Sequence, residues 1–377
     1  MRKTKHVLAA CLGTAFLAAC GSTAAPFQQQ QRPSSAAVTR PDIPNASRAL
    51  NVSVANAMPL NPRAARASRV PLFNHVFLII GENTSLRDVT ASHMPYLVDT
   101  LMPEGGSLTD YEGLHSGSLS DYIGMTAGHY TRCDVNDALP YNLNTNKPTC
   151  VDRGPNIFSL LDESNISWTE WNESMPNPCG FFDVGTDWSY NVYTTHHNPA
   201  VYFTRIEGAR YWENFNRAPT PECLQRVLSM GSTAPNDTSA FDAALAAGTV
   251  SKFNMIVPNG CEDSHDLCGA RDRLSQFDDF LAREVPKILA SRAFGSDGLV
   301  LITFDEWGDR TPTDKRVAFV ALGPAVLPGS SSTSAYNHYS LLRTLEDGYG
   351  LRPYLGRAAT AATITGIWAR QEPNQTR

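Results

Sequence analysis

The sequence has no surplus of positive charge. Thirty-one Lys and Arg face 37 Asp and Glu, a formal net charge of −6. No basic stripe is present to neutralise a phosphate backbone, which excludes a general nucleic-acid binder. There is no CxxC pair, so a zinc centre built from cysteines lacks its usual spacing. There is no internal repeat, and hence no solenoid. Long apolar runs are missing as well: "HVLAACLGTAFLAA", close to the first residue, is too short for a membrane span. What is present is a chain of 377 residues, 42% hydrophobic and 18% charged, enough for a large core in one or two domains.

Arg2, Lys3 and Lys5 precede the short apolar run, and small residues lead to Cys20. This is the pattern of a secretory signal over residues 1–19. Leu17-Ala18-Ala19-Cys20 resembles a bacterial lipobox, in which the Cys becomes the lipidated N-terminus. The alternative is a plain secreted protein cleaved nearby. Ser22, rather than Asp, follows Gly21; by the sorting rule for Gram-negative lipoproteins this favours the outer membrane. The expected location is therefore the cell envelope, with membrane attachment through Cys20. Losing residues 1–19 removes three basic groups and no acid, taking the net charge from −6 to −9. Residues 20–70, rich in Gln, Pro, Ser, Ala and Asn, are expected to form a flexible tether, and residues 71–377 the folded domain. Apart from Cys11 and Cys20, six cysteines remain, and an even number in an exported chain suggests three disulfides. Fifteen connectivities are open; the expectation is sequence-local pairing, Cys133–Cys150, Cys179–Cys223 and Cys261–Cys268.

From about Phe73 short apolar strands appear: "HVFLII" (75–80), "ISWTEW" (166–171), "KFNMIVP" (252–258), "GLVLITFD" (298–305) and "RVAFVALGP" (316–324). Helical stretches lie between them. Residues 274–291 carry Phe277, Phe280, Leu281, Val285, Ile288 and Leu289 at helical spacing, and "HYSLLRTLEDGYG" ends at a glycine. Continuous apolar strands alternating with amphipathic helices predict an α/β fold, a three-layer αβα sandwich around a mainly parallel central sheet. Such folds place ligands outside the carboxyl ends of the strands.

The strand ends are where the chemistry gathers. "HVFLII" runs into Gly81, expected to let the chain turn, and then Glu82 and Asn83. "KFNMIVP" is followed by Asp263, His265 and Asp266; "LVLITF" by Asp305 and Glu306; "VAFVALGP" by a loop and then His338. Acids clustered at one sheet edge repel one another and lose hydration, and a divalent cation relieves both costs. Each pair alone could be a solvated turn; two such pairs after two such strands favour a metal. "LHSGSLSDYIGMTAG" (114–128) adds Ser116, Ser118 and Ser120 before a helix expected to end at Gly128. A hydroxyl at a helix N-terminus can be metal-bound and polarised by backbone N–H groups that also hold phosphoryl oxygens, although such loops more commonly supply only a helix cap. His196 and His197 stand in "YTTHHNPAVYF". A lone His is more often structural than catalytic, but three His motifs near candidate metal positions favour a functional role for at least one.

Seven stretches together carry a resemblance. "HVFLIIGENTS", "GSLSDYIGMTAGHY", "ISWTEWNESMP", "HHNPAVYF", "FNMIVPNGCEDSHD", "VLITFDEWGD" and "YNHYSLLRTLEDGYGL" occur in the order seen in the bacterial phosphoesterase family. That family includes acid phosphatases and phosphatidylcholine-hydrolysing phospholipases C and belongs to the alkaline phosphatase-like superfamily. The resemblance runs from about residue 74 to 351. It implies that Glu82 and Asn83 are the first metal-binding pair, Asp305 and Glu306 the second, Ser118 the nucleophile and further metal ligand, and His197 and His265 the phosphate-facing catalytic histidines. Asp263, His338, His196 and Asp121 are additional candidates. The nucleophile segment departs from the family's His-x-Ser-x-Pro-Asn-Tyr pattern, with Ser120 for Pro and Asp121 for Asn. That adds a negative charge and leaves Ser116 as an alternative nucleophile.

The expected function is a metal-dependent phosphoric ester hydrolase working through a phosphoserine, acting on phosphomonoesters in the manner of an acid phosphatase. The cation would lower the pKa of Ser118, and the histidines would steady phosphate oxygens and protonate the leaving alcohol. Calcium, magnesium or manganese suits the oxygen-rich set, and the nearby His leaves zinc open. A phospholipase C acting on phosphodiester lipids is the alternative, without the extended apolar lid or lipid-docking stretch it would use. A sulfatase lacks its Cys/Ser-x-Pro-x-Arg segment. A surface binding protein with lost catalysis is the non-enzymatic alternative, against which intact Glu82, Ser118, Asp305 and Glu306 stand.

Overall fold

The computed structural model describes residues 70–142, 147–185, 192–207, 219–269, 272–308 and 313–369. The expected signal segment, Cys20 and the expected tether up to residue 69 lie outside the described residues.

Among the described residues one large sheet has eight strands. In chain order they are β1 (His75–Gly81), β2 (Gly106–Leu108), β3 (Trp168–Asn172), β4 (Val227–Ser229), β5 (Phe253–Val257), β6 (Gly298–Phe304), β7 (Phe319–Leu322) and β8 (Ser330–Ser332). Their spatial order is β8-β2-β7-β6-β1-β5-β3-β4. β6, β1, β5, β3 and β4 are parallel, with Ile79 level with both Ile256 and Ile302. β7 alone runs against its neighbours β2 and β6. The sheet is thus mainly parallel, as expected, with one reversed strand, and the reason for the reversal is local. Among the described residues no helix lies between Phe304 and Phe319, and β7 returns antiparallel beside β6.

Every residue of β5 and β6 is buried, which requires a layer on each face. On one face Trp168 and Phe253 pack on Phe158 of α2 (Ile157–Glu163), and Phe253 also meets Tyr349 of α5 (His338–Tyr349). On the other, Trp171 meets Phe241 of α3 (Ser239–Ala247), and Phe304 meets Phe277 of α4 (Arg273–Ala290). The three-layer sandwich follows. Helix ends obey the capping rules: Asn337 and Ser340 form a capping box at the start of α5, and Gly350, at φ 71°, ends it. α1 (Ser118–Ala127) ends at Gly128, φ 75°. The three sequence-local disulfides form, with Cα–Cα distances of 5.6, 5.4 and 5.5 Å.

Gly348 lies inside α5 where an alanine would ordinarily help. A Cβ there would lie 2.1 Å from the ring of Phe73, which is buried and donates its backbone N–H to the Gly348 carbonyl. Overpacking outweighs helix propensity at this position. Gly348→Ala should lower stability by about 1–3 kcal/mol rather than add the ~1 kcal/mol of an open helix, as read from urea unfolding curves.

Candidate active site

The site stands at the carboxyl ends of β5, β1 and β6, the three central strands. Backbone bonds tie these ends together: Asp305 N–H donates to the Gly81 carbonyl (3.0 Å), Glu82 N–H to the Asp263 carbonyl (2.7 Å) and Thr84 N–H to the Glu306 carbonyl (3.0 Å). The turn expected at Gly81 lies two residues later. Gly81 is still in β1, and a Cβ on it would meet the Phe304 ring at 2.6 Å. Asn83 makes the turn, at φ 43°, a region that Asn tolerates better than most residues. Ser264 is also held at positive φ (81°), with its hydroxyl 2.6 Å from the Glu82 carbonyl.

These turns bring Glu82, Asp263 and Asp305 together, all fully buried. Each spends one carboxyl oxygen on holding the loops. Glu82 Oε2 accepts from Asn83 Nδ2 (2.7 Å), Asp305 Oδ1 from the N–H groups of Asn83 (3.1 Å) and Glu306 (2.6 Å), and Asp263 Oδ1 from His265 N–H (2.8 Å). The second oxygen of each, Glu82 Oε1, Asp263 Oδ2 and Asp305 Oδ2, has no hydrogen-bond partner. His197 lies between two of these oxygens, Nε2 at 2.9 Å from Glu82 Oε1 but off the line of a hydrogen bond, and Nδ1 at 3.6 Å from Asp263 Oδ2. Its ring stacks on Tyr122 of α1 (5.5 Å), and the His196 ring stands edge-on to it (4.6 Å). Ser118, nearly buried at the first position of α1, is close enough to the Glu82 carboxyl to favour its charged form, as is Asp305. Ser116 lies at the cleft surface outside α1.

Burial dominates the electrostatics. It raises the carboxyls of Glu82, Asp263 and Asp305, with mutual repulsion adding to the last two. Glu306 is pushed to about 10 by burial and then by Asp305 and Glu82. His197 falls to about 3 and His196 to about 4, both through burial first. His265 behaves oppositely: its hydrogen bond to Asp266 (2.8 Å) lifts it to about 10, against burial. His265 stays half-exposed and lines a cleft of about 600 Å³ with Asn83, Ser116, Asp137, Arg273, Glu306 and Trp307.

His338 and Asp121 stand behind this set. His338 is fully buried; Nδ1 bonds the Tyr111 hydroxyl (2.7 Å) and Nε2 the Asp305 carbonyl, so both nitrogens are occupied. Asp121 accepts the N–H groups of Leu114 (2.5 Å) and His115 (3.2 Å). Both residues brace loops of the site.

Sequence reasoning missed Asp137, Arg273, Trp307 and Tyr122. Asp137 comes from the Cys133–Cys150 loop and accepts the Leu119 N–H at the start of α1 (2.9 Å). A non-periodic loop gives no signal for that. Arg273 did leave one: it is the first residue of α4, where a cation opposes the helix dipole.

Among the described residues, the sets of three His, Cys, Asp or Glu ligand atoms within 4.8 Å of one another are Cys133–Asp134–Cys150 and Cys179–Glu207–Cys223. Their sulfurs are spent on disulfides, so neither is a metal centre. The looser set at the strand ends fits a hard cation better. It offers oxygens, it is buried, and three of those oxygens lack any other partner.

The fold is similar to that of a solved protein in the alkaline phosphatase superfamily from Vibrio parahaemolyticus, with a TM-score of 0.50 at 13% identity, over 77% of this chain and 70% of that one. The chain belongs to the Phosphoesterase family, whose model matches residues 74–352. It is similar to an acid phosphatase of Aspergillus fumigatus, 27% identical over 79% of this chain and 60% of that protein. It is also similar to a phosphatidylinositol-3-phosphatase of Mycobacterium tuberculosis, 26% identical over 80% and 85% respectively. The chain thus spans less than two thirds of the fungal acid phosphatase.

The raised carboxyls set a pH dependence. Glu82, Asp263, Asp305 and Glu306 keep protons in the fold at pH values where the unfolded chain has lost them. That stability is complete below the unfolded carboxyl range and is lost as pH rises through the folded values. With chelator present, unfolding free energy should fall as pH rises from the unfolded carboxyl range toward about 10, where Glu306 titrates, by about 1.4 kcal/mol per pH unit for each carboxyl that stays protonated. Urea unfolding of Glu82→Gln should show a shallower fall than wild type.

Proposed function

We propose that the protein is a divalent-cation-dependent phosphoric ester hydrolase that removes phosphate from monoesters through Ser118. The observation that carries this reading is the trio of buried carboxylates, each with one unpartnered oxygen, beside a serine hydroxyl at the start of a ten-residue helix. Glu82, Asp263 and Asp305 would hold the cation, with Asn83 and Glu306 at its edge. A cation bound there lowers the pKa of a nearby hydroxyl and offsets charge on phosphoryl oxygens.

The chain's own groups supply the rest. Ser118 stands beside Glu82, which would take up its proton. Ser118 Oγ attacks phosphorus in line, the bond to the leaving alcohol breaks, and a phosphoserine forms. His265 carries a proton throughout the neutral range and faces the cleft, so it is placed to protonate the departing oxygen. Water then hydrolyses the phosphoserine and restores the hydroxyl. His197 is neutral and buried, and orients Glu82 and Asp263. The names of the relatives, acid phosphatase and phosphatidylinositol-3-phosphatase, support a monoester over the phosphodiester of a phospholipase C. In the same reading Cys20 tethers the enzyme to the cell envelope.

Ser118→Ala should lower turnover of a chromogenic phosphate monoester more than about 1,000-fold, with cation binding and fold retained. Retained turnover would pass the nucleophile role to Ser116. Adding a divalent cation at about 100 times its dissociation constant should stabilise the wild type by about 2.7 kcal/mol, and Glu82→Ala should abolish that shift in a thermal melt. Faster hydrolysis of phosphatidylcholine than of monoesters would establish the phospholipase reading instead.

A further inference from the structure

Two hydrogen-bond donors beside the cleft are not used by the proposed reaction. Arg273 lines the cleft, with Nη1 donating to the carbonyls of Asn83 (3.3 Å) and Ser264 (2.5 Å) and Nη2 close to Gly308. Two site loops thereby fix the guanidinium through Nη1. No carboxylate among the described residues pairs with it, and helix stability does not explain it, since a cation at the first position of α4 opposes the dipole. Trp307 lines the same cleft, is 3% exposed, and its indole N–H has no partner. Lys315 stands 5.0 Å over its ring. A buried donor left without an acceptor costs free energy unless a ligand satisfies it.

The cleft is also larger than the reaction needs. Ser118, Glu82 and Asp305 are buried next to the lining residues Gly117, Asn83 and Glu306, so in the proposed reaction the transferred phosphoryl would lie on that side of the cleft. About 600 Å³ is in the range that encloses a whole small molecule. Arg273 belongs to the wall, where the rest of the ester must lie.

We propose that Arg273, assisted by the Trp307 N–H, is a specificity-determining residue that binds a second anionic group of the ester, beyond the phosphoryl that is transferred. The preferred substrate class is a phosphate monoester carrying another phosphate. A guanidinium held at one nitrogen keeps its remaining N–H groups for a fork onto phosphate oxygens, which an ammonium cannot reproduce. This inference rests on the phosphoester-hydrolase reading.

The test compares phosphate release from fructose bisphosphate and fructose monophosphate by the full chain with cation present. The quantity read is the ratio of kcat/KM for the two. Arg273→Gln keeps donors for the two carbonyls and should lower that ratio about tenfold, mostly through the KM of the bisphosphate. Arg273→Lys keeps charge without the fork and should fall between Gln and wild type. Trp307→Phe should lower the ratio less. If Arg273→Gln and Arg273→Lys lower both kcat/KM values by one common factor, Arg273 is a strut and the inference is overturned. Wild type that releases phosphate from neither ester, nor from a chromogenic monoester, would instead overturn the hydrolase reading itself.

Discussion

Three carboxylates buried side by side constrain everything else in this structure. Desolvating even one carboxylate is costly, and placing others next to it adds repulsion. A fold tolerates such a cluster when the backbone around it cannot relax away and when function compensates. Here the backbone is held in two ways. The parallel register of β5, β1 and β6 fixes the level at which each strand ends. Bonds from Asp305 to Gly81, from Glu82 to Asp263 and from Thr84 to Glu306 then sew the ends together. Two positive-φ residues, Asn83 and Ser264, complete the turns, and hydrogen bonds from the same cluster hold them.

The cluster also divides the histidines by role. His197 and His265 look alike in the sequence, each in a polar loop. In the fold His197 is sealed between Tyr122 and the acids, and burial keeps it neutral. His265, two residues past Asp263 in a loop closed by Cys261–Cys268, reaches the cleft, and Asp266 keeps it charged. A neutral imidazole among carboxylates positions them. A charged one at the cleft can give up a proton. Neither could exchange places, because each ionisation state is set by exposure and by a single partner.

Much of this was legible in the sequence, for physical reasons. Buried parallel strands read as continuous apolar runs, so β1, β5 and β6 stood out and the acids after them followed. Short β2, β4 and β8 carry no such run, and α3 is Ala-rich with little periodic contrast. The reversed direction of β7 was unreadable from its own residues, since an apolar strand looks the same both ways. Of the site, the residues on strand ends were legible. Asp137 and Trp307 were not, because their place depends on loops folding back over the sheet edge, and Arg273 left only its misfit with the dipole of α4.

Asp121 shows how a local departure can be read wrongly in isolation. As a charge added to the nucleophile segment it suggests a further metal ligand or weaker phosphate binding. The fold gives it another task. Its oxygens accept the N–H groups of Leu114 and His115, and His338 Nε2 lies 3.4 Å away. An asparagine offers one acceptor oxygen where the aspartate offers two. Burial raises its carboxyl well above the usual range, with Asp305 adding to the effect. The residue therefore need not confront the cation with a full charge. It pins the loop that delivers Ser116 and Ser118, while His338, held by Tyr111, pins the Asp305 carbonyl. Nucleophile and acids are thus braced by one buried network.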